Sequence, residues 1–156
     1  FLEPKRRYYE KAEVDTDAAL ESAAPMGRAR IARPGTDATL LAYGPMVKTA
    51  LQAAEADEER SIEVIDLRSI SPVDYETVNE SVRRTGRMVI AHEAPLSLGP
   101  GAEIAARVTE ECFYHLEAPV VRVAAFDTPY PQSRLEEYYL PDLDRVLDGV
   151  DRAFAY

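Results

Sequence analysis

Cysteine occurs once in this chain, at position 112, so no disulfide can close within it and no cysteine-rich zinc site can be built. Basic residues are scarce beside acidic ones, 18 Lys and Arg against 28 Asp and Glu, for a formal net charge of -10. That balance argues against nucleic acid, whose phosphates require a basic face, and favours a basic protein partner. No apolar run approaches the roughly 20 residues that a membrane-spanning helix requires, and no charged-then-apolar leader precedes a cleavage site. A cytoplasmic protein without membrane contact is therefore expected. The Gly-x-Gly-x-x-Gly fingerprint and the Walker pattern are both missing, and no internal repeat appears. What is present, 156 residues with 46% hydrophobic and 29% charged, suits one globular domain with a real core.

The chain alternates strand-like and helix-like stretches. Arg28 to Arg33 reads as an edge strand before the Pro34-Gly35 turn. Ala38 to Tyr43 is the first central strand, and Gly44-Pro45 turns it into a helix with Val47, Ala50, Leu51 and Ala54 inward. Ile62 to Leu67 is the next strand. Ser71-Pro72 is expected to start a helix running to about Thr85, with Tyr75, Val78 and Val82 facing the core. Met88 to Ala91 is a short apolar strand bounded by Gly86 and by His92-Glu93. A helix from Ala102 carries Ile104, Ala105, Val108 and Cys112 on one side. Val120 to Phe126 is the last strand, and after a Pro-rich loop a final helix places Leu143, Val146, Leu147, Val150 and Phe154 on one face. Helices between apolar strands predict a three-layer α/β domain with a mostly parallel central sheet. Residues 1–27 read as the end of a preceding domain and a linker, with 10–26 a solvated surface segment, and 28–156 as the α/β domain. The opening Phe1-Leu-Glu-Pro4 looks like a strand cut from a longer protein.

Polar groups gather after the Met88–Ala91 strand. In open α/β sheets the carboxyl ends of strands are where ligands and partner loops collect, and two Pro and two Gly constrain the loop from Ala94 to Gly101. His92 and Glu93 are adjacent and point to opposite sides of an extended chain, so only one can face a given site. A lone His at a strand end reads first as hydrogen-bonded packing at an interface. The expected subunit interface comprises His92, Glu93, Leu96 and Leu98. Cys112, on the apolar face of its helix, reads as a buried inert thiol, and His115 as a surface residue. Ser97 lacks the Gly-x-Ser-x-Gly elbow of a nucleophile. Asp66 and Arg68 read as a structural ion pair before an anion site. Tyr130, Tyr138, Tyr139 and Tyr156 would expose aromatic surface of the kind that marks an interface. No catalytic, cofactor-binding or metal-ligating residue emerges from this reading.

Several of these segments carry a family resemblance. His92-Glu-Ala-Pro-Leu96, the Gly-rich turn, Ala102-Glu-Ile104, Glu110-Glu-Cys-Phe113 and Leu116-Glu-Ala-Pro119 resemble the beta subunit of branched-chain 2-oxoacid dehydrogenase, the thiamine-diphosphate-dependent decarboxylating component. Asp66-Leu-Arg-Ser-Ile-Ser-Pro-Val-Asp74, Phe126-Asp-Thr-Pro-Tyr-Pro131 and Leu140-Pro141 are similar to the carboxyl-terminal domain that this family shares with transketolase. The branched-chain part of the resemblance rests on the His92 and Cys112 segments. It implies an enzyme of two alpha and two beta chains that decarboxylates a 2-oxoacid and acylates a lipoyl group. Thiamine diphosphate and magnesium would lie between the alpha chain and the amino-terminal part of beta, which this chain does not contain. For this segment it implies an inactive domain devoted to assembly with the alpha subunit and a second beta subunit. It further implies docking of the lipoyl acyltransferase core, whose small basic module would meet Glu117 and Tyr156. Asp142, Asp144, Asp148 and Asp151 add acidity to the last helix, with Asp144 and Asp148 read as a solvated face. Two other readings stay open on these residues: another transketolase-type thiamine enzyme, and a free-standing α/β module binding a small ligand near His92, Glu93 and Arg68.

Overall fold

A computed structural model describes residues 2–9, 11, 13–17 and 25–156. The expected linker over 10–26 falls partly outside those residues. Five strands form one sheet: β1 (Arg30–Arg33), β2 (Ala38–Ala42), β3 (Ile62–Asp66), β4 (Met88–Pro95) and β5 (Val121–Ala125), in the spatial order β1-β3-β2-β4-β5. β3, β2, β4 and β5 run parallel, whereas β1 pairs antiparallel with β3 at the edge. Four helices cover the sheet: α1 (Met46–Ala56), α2 (Tyr75–Thr85), α3 (Pro100–Cys112) and α4 (Leu143–Ala153). The three-layer α/β expectation is met.

The period of two along each strand decides which layer receives which side chain. Leu40, Ala42, Ile62, Val64, Val89 and Ala91 pack beneath α1 and α4, while Leu41, Ile65, Met88 and Ile90 pack beneath α2 and α3. Every residue of β2 is buried, as a strand covered on both faces requires. Thr39 and Glu63, polar residues within this core, are paired. Thr39 Oγ1 lies 2.6 Å from Ser81 Oγ and 2.7 Å from Thr85 Oγ1, and the buried Glu63 accepts from Arg84 at 2.5 Å. The apolar residues expected on α1 and α4 do face the core, with Leu51, Leu143, Leu147 and Phe154 at its margin.

α2 does not begin at Pro72. Its first helical residue is Tyr75, because Asp74 caps the helix: its carboxylate accepts from Thr77 N at 3.3 Å and from Thr77 Oγ1 at 2.8 Å. The same carboxylate accepts from Ala29 N at 2.9 Å, which ties the approach to β1 to this end of the domain. Burial pushes the Asp74 carboxyl up, but the Ala29 and Thr77 donors, with Arg28 nearby, outweigh it and hold the group below its usual range. A depressed carboxylate stabilises the fold above its unfolded value and loses that contribution as pH falls through the folded value. Asp74→Ala is expected to cost about 1–2 kcal/mol in urea unfolding at neutral pH and to flatten the acid limb of the stability curve. A variant as stable as the parent at neutral pH would contradict the capping role.

Candidate functional site

β4 carries the site. It was expected to stop at Ala91, but it continues to Pro95 because the register with β5 shifts after His92, so that Pro95 comes opposite Ala125 and Leu96 N donates to Ala125 O at 3.1 Å. The loop that follows is anchored. Asp127 accepts from Ser97 N at 2.8 Å and from Ser97 Oγ at 2.6 Å, and Arg122 donates to Leu96 O at 2.8 Å. These Ser97 donors draw the Asp127 carboxyl below its usual range. The chain thereby presents Leu98 fully exposed in the left-handed region at φ 59°, with Leu96 39% exposed beside it. A leucine held in that conformation and turned into water makes no contact that would stabilise this domain alone.

His92 and Glu93 separate as an extended strand dictates. Glu93 is half-buried and lines a cleft with Pro45, Met46, Leu140 and Pro141. His92 is wholly buried: its Nδ1 lies 3.0 Å from Ala94 O, its ring stacks near Tyr43 at 6.1 Å between centroids, and its Nε2 has no partner. The ring fits only because positions 99 and 101 are glycine. A Cβ on Gly101 would stand 2.3 Å from Nε2, and one on Gly99 would stand 3.0 Å from Cε1. His92 therefore packs the base of the loop against the start of α3. Arg68 pairs with Asp66 at 3.5 Å, the ion pair expected of these two residues.

Burial pushes the His92 imidazole below its ordinary value and outweighs the contact with the Ala94 carbonyl, which raises it; nearby Arg122 adds a smaller lowering. A depressed histidine destabilises the fold when it must take a proton: stability is complete above the unfolded value near 6.5 and falls as pH drops through the lower folded value. His115, the other histidine, is exposed. Unfolding measured from pH 7.5 down to pH 5 should therefore show a decline that His92→Gln abolishes; an unchanged decline in that variant would assign it elsewhere.

The second set of expected site residues lies at the opposite, amino-terminal end of the strands. Glu117 is 60% exposed and accepts from Arg87 Nη1. Arg87 in turn lies over the Phe154 ring, 4.7 Å from its centroid, and Arg60 lies 5.0 Å from the same centroid. Arg60 reaches Asp57 at 2.6 Å and Asp151 at 2.7 Å. Asp142 is spent on capping α4, accepting from Arg145 N at 2.9 Å, and Asp148 pairs with Arg152 at 3.1 Å. Tyr156 is exposed beyond the last turn of α4, which ends at Ala153. Sequence reading missed Arg60 and Arg87. Each sits just ahead of an apolar strand, in the position of an ordinary solvated cation, and only the fold brings both to Phe154.

Tyr130 and Tyr138 are exposed as expected, whereas Tyr139 is buried, stacked edge-on to Tyr130 at 5.2 Å in a small cluster with Leu140 and Ala125. Cys112 is buried as expected, and burial raises its thiol. Among the described residues no three His, Cys, Asp or Glu side chains converge to hold a metal ion. No helix among the described residues is long and apolar enough to cross a membrane.

Comparison with known proteins matches this geometry to a family. The family model described as Transketolase, C-terminal domain, matches residues 27–146. The chain is 56% identical, over its whole length, to the pyruvate dehydrogenase E1 component subunit beta of Leifsonia xyli subsp. xyli, of which it covers 46%. It is 52% identical over 97% of its length to the 3-methyl-2-oxobutanoate dehydrogenase subunit beta of Mycobacterium tuberculosis, covering 44% of that protein. It is 43% identical over its whole length to the mitochondrial 2-oxoisovalerate dehydrogenase subunit beta of Dictyostelium discoideum, covering 42% of it. A solved structure described as a split gene transketolase, inactive beta4 tetramer, superposes with a TM-score of 0.70 at 31% identity, over 83% of this chain and 43% of that one. The chain thus spans less than half the length of the relatives it matches. With a five-stranded, mostly parallel sheet between two helix layers and a family match over most of its length, the chain belongs to the transketolase C-terminal domain family.

Proposed function

We propose that this chain is the assembly and partner-docking domain of a 2-oxoacid dehydrogenase beta subunit. The observation that carries the reading is whole-length identity above half to a protein named as such a subunit, on a fold of the transketolase C-terminal type. The full enzyme, two alpha and two beta chains in the cytoplasm, decarboxylates a 2-oxoacid and transfers the acyl group to a lipoyl carrier of the acyltransferase core. Branched-chain substrates are favoured by the His92 and Cys112 segments and by the relatives from M. tuberculosis and D. discoideum, which are named for branched 2-oxoacids, while the L. xyli relative is named for pyruvate. Residues 28–156 form the domain, and 1–27 lead into it from the part of the subunit that would hold thiamine diphosphate and magnesium with the alpha chain.

The two ends of the sheet divide the work. At the carboxyl end, the loop bearing Leu96 and Leu98 on its His92 base, with Glu93 beside it, meets a neighbouring subunit. At the amino-terminal end, Glu117 and Tyr156 meet the basic module of the acyltransferase core. His92 and Cys112 are both buried, and burial raises the Cys112 thiol, so neither faces solvent as a base or a nucleophile. Release of CO2 from 3-methyl-2-oxobutanoate, with thiamine diphosphate and magnesium supplied, tests the division of labour: the 156-residue chain alone is expected to show none above buffer, and measurable turnover by it would overturn the reading.

A further inference from the structure

Glu117 is held in two ways. Its N–H donates to Gly86 O at 2.8 Å, and its Cγ and Cδ occupy the space beside Gly86, 3.0 Å from where a Cβ would stand. Gly86 adopts φ 70°, the left-handed cap that ends α2. The stem of Glu117 is thus fixed by packing on that turn before its carboxylate meets anything. Its Oε2 then accepts from Arg87. Arg87 is itself 19% exposed and pressed over Phe154, so it is a cation fixed by the ring whichever partner Glu117 takes.

We propose that Arg87 is an internal competitor for the docking carboxylate: it occupies Glu117 Oε2 in the free domain, and a basic partner gains that oxygen only against Arg87. This rests on the reading of Glu117 as part of the docking face. Removing Arg87 acts on a basic partner in two ways of the same sign. It takes away a positive charge beside the site, and it frees an acceptor. The opposing effect, greater freedom of Glu117, is limited by the packing of its stem on Gly86. The pair therefore weakens docking and keeps it reversible.

The test measures binding of the isolated basic module of the acyltransferase to assembled enzyme containing the full-length beta subunit, at low and at physiological salt. The native protein is compared with Arg87→Met, Glu117→Gln and the double variant, each first shown to assemble by sedimentation; Arg87→Gln carries the same comparison if Arg87→Met does not assemble. Arg87→Met is expected to bind about two- to fivefold tighter, the effect of one exposed charge pair, with a steeper salt dependence. Glu117→Gln should bind more weakly, and Arg87→Met should tighten binding less in the Glu117→Gln background than in the native protein, since only the loss of positive charge remains there. Weaker binding by Glu117→Gln with no tightening by Arg87→Met would overturn the competitor role. Native-like binding by Glu117→Gln would instead overturn the docking reading on which it rests.

Discussion

Gly101→Ala is expected to destabilise the domain by about 1–3 kcal/mol, the usual range for overpacking a closed core, although Gly→Ala in a helix ordinarily stabilises by up to about 1 kcal/mol. The sign is decided by His92. The new methyl would stand 2.3 Å from its Nε2, 2.6 Å from its Cδ2 and 3.4 Å from Ile90 Cγ2. The ring has nowhere to retreat, since Tyr43 stacks near it and the backbone at Gly99 closes its other edge. Urea unfolding of Gly101→Ala, His92→Ala and the double variant should show the double variant less destabilised than the sum, by the ~0.5–3 kcal/mol typical of residues in contact. Strict additivity, or a gain in stability from Gly101→Ala alone, would mean that His92 is not what reserves this position for glycine.

The architecture was legible where hydrophobic period and length agree. Val146 and Val150, Val78 and Val82, Ile104 and Val108 repeat at helical spacing and all lie in the core. The apolar run Met88–Ala91 signalled a strand buried on both faces, and all four of its residues are buried. Boundaries set by tertiary contacts were not legible. β4 outlasts its apolar run because β5 offers it partners as far as Ala125. α2 starts three residues after Pro72 because Asp74 supplies a cap that also binds Ala29, 45 positions away in sequence. Tyr139 vanished from the expected aromatic surface because a single helical turn, Glu136–Tyr139, rotates it under Tyr130 while leaving Tyr138 outside. The candidate site divided along the same line. Leu96 and Leu98 could be picked out as loop residues following a strand end, whereas the convergence of Arg60, Arg87 and Glu117 around Phe154 joins four segments distant in sequence.

Leu98→Asp separates the stability of the domain from its role in the assembled enzyme. Leu98 is fully exposed with φ 59°, a conformation that aspartate tolerates better than leucine does. Urea unfolding of this chain should therefore be unchanged or slightly improved by the substitution. At a subunit interface the same carboxylate would be buried without a partner, at a cost of several kcal/mol, on the order of a thousandfold in association. Leu96→Asp should act in the same direction, with a smaller margin on the isolated domain because Leu96 is partly covered there.

Sedimentation velocity of the alpha subunit mixed with full-length beta subunit, native or carrying Leu98→Asp, bears most directly on the claim that this domain exists for assembly. The account predicts an alpha-two beta-two particle for the native pair and dissociated chains for the variant, with the variant's isolated domain still folded. An intact tetramer carrying Leu98→Asp and Leu96→Asp together would contradict it.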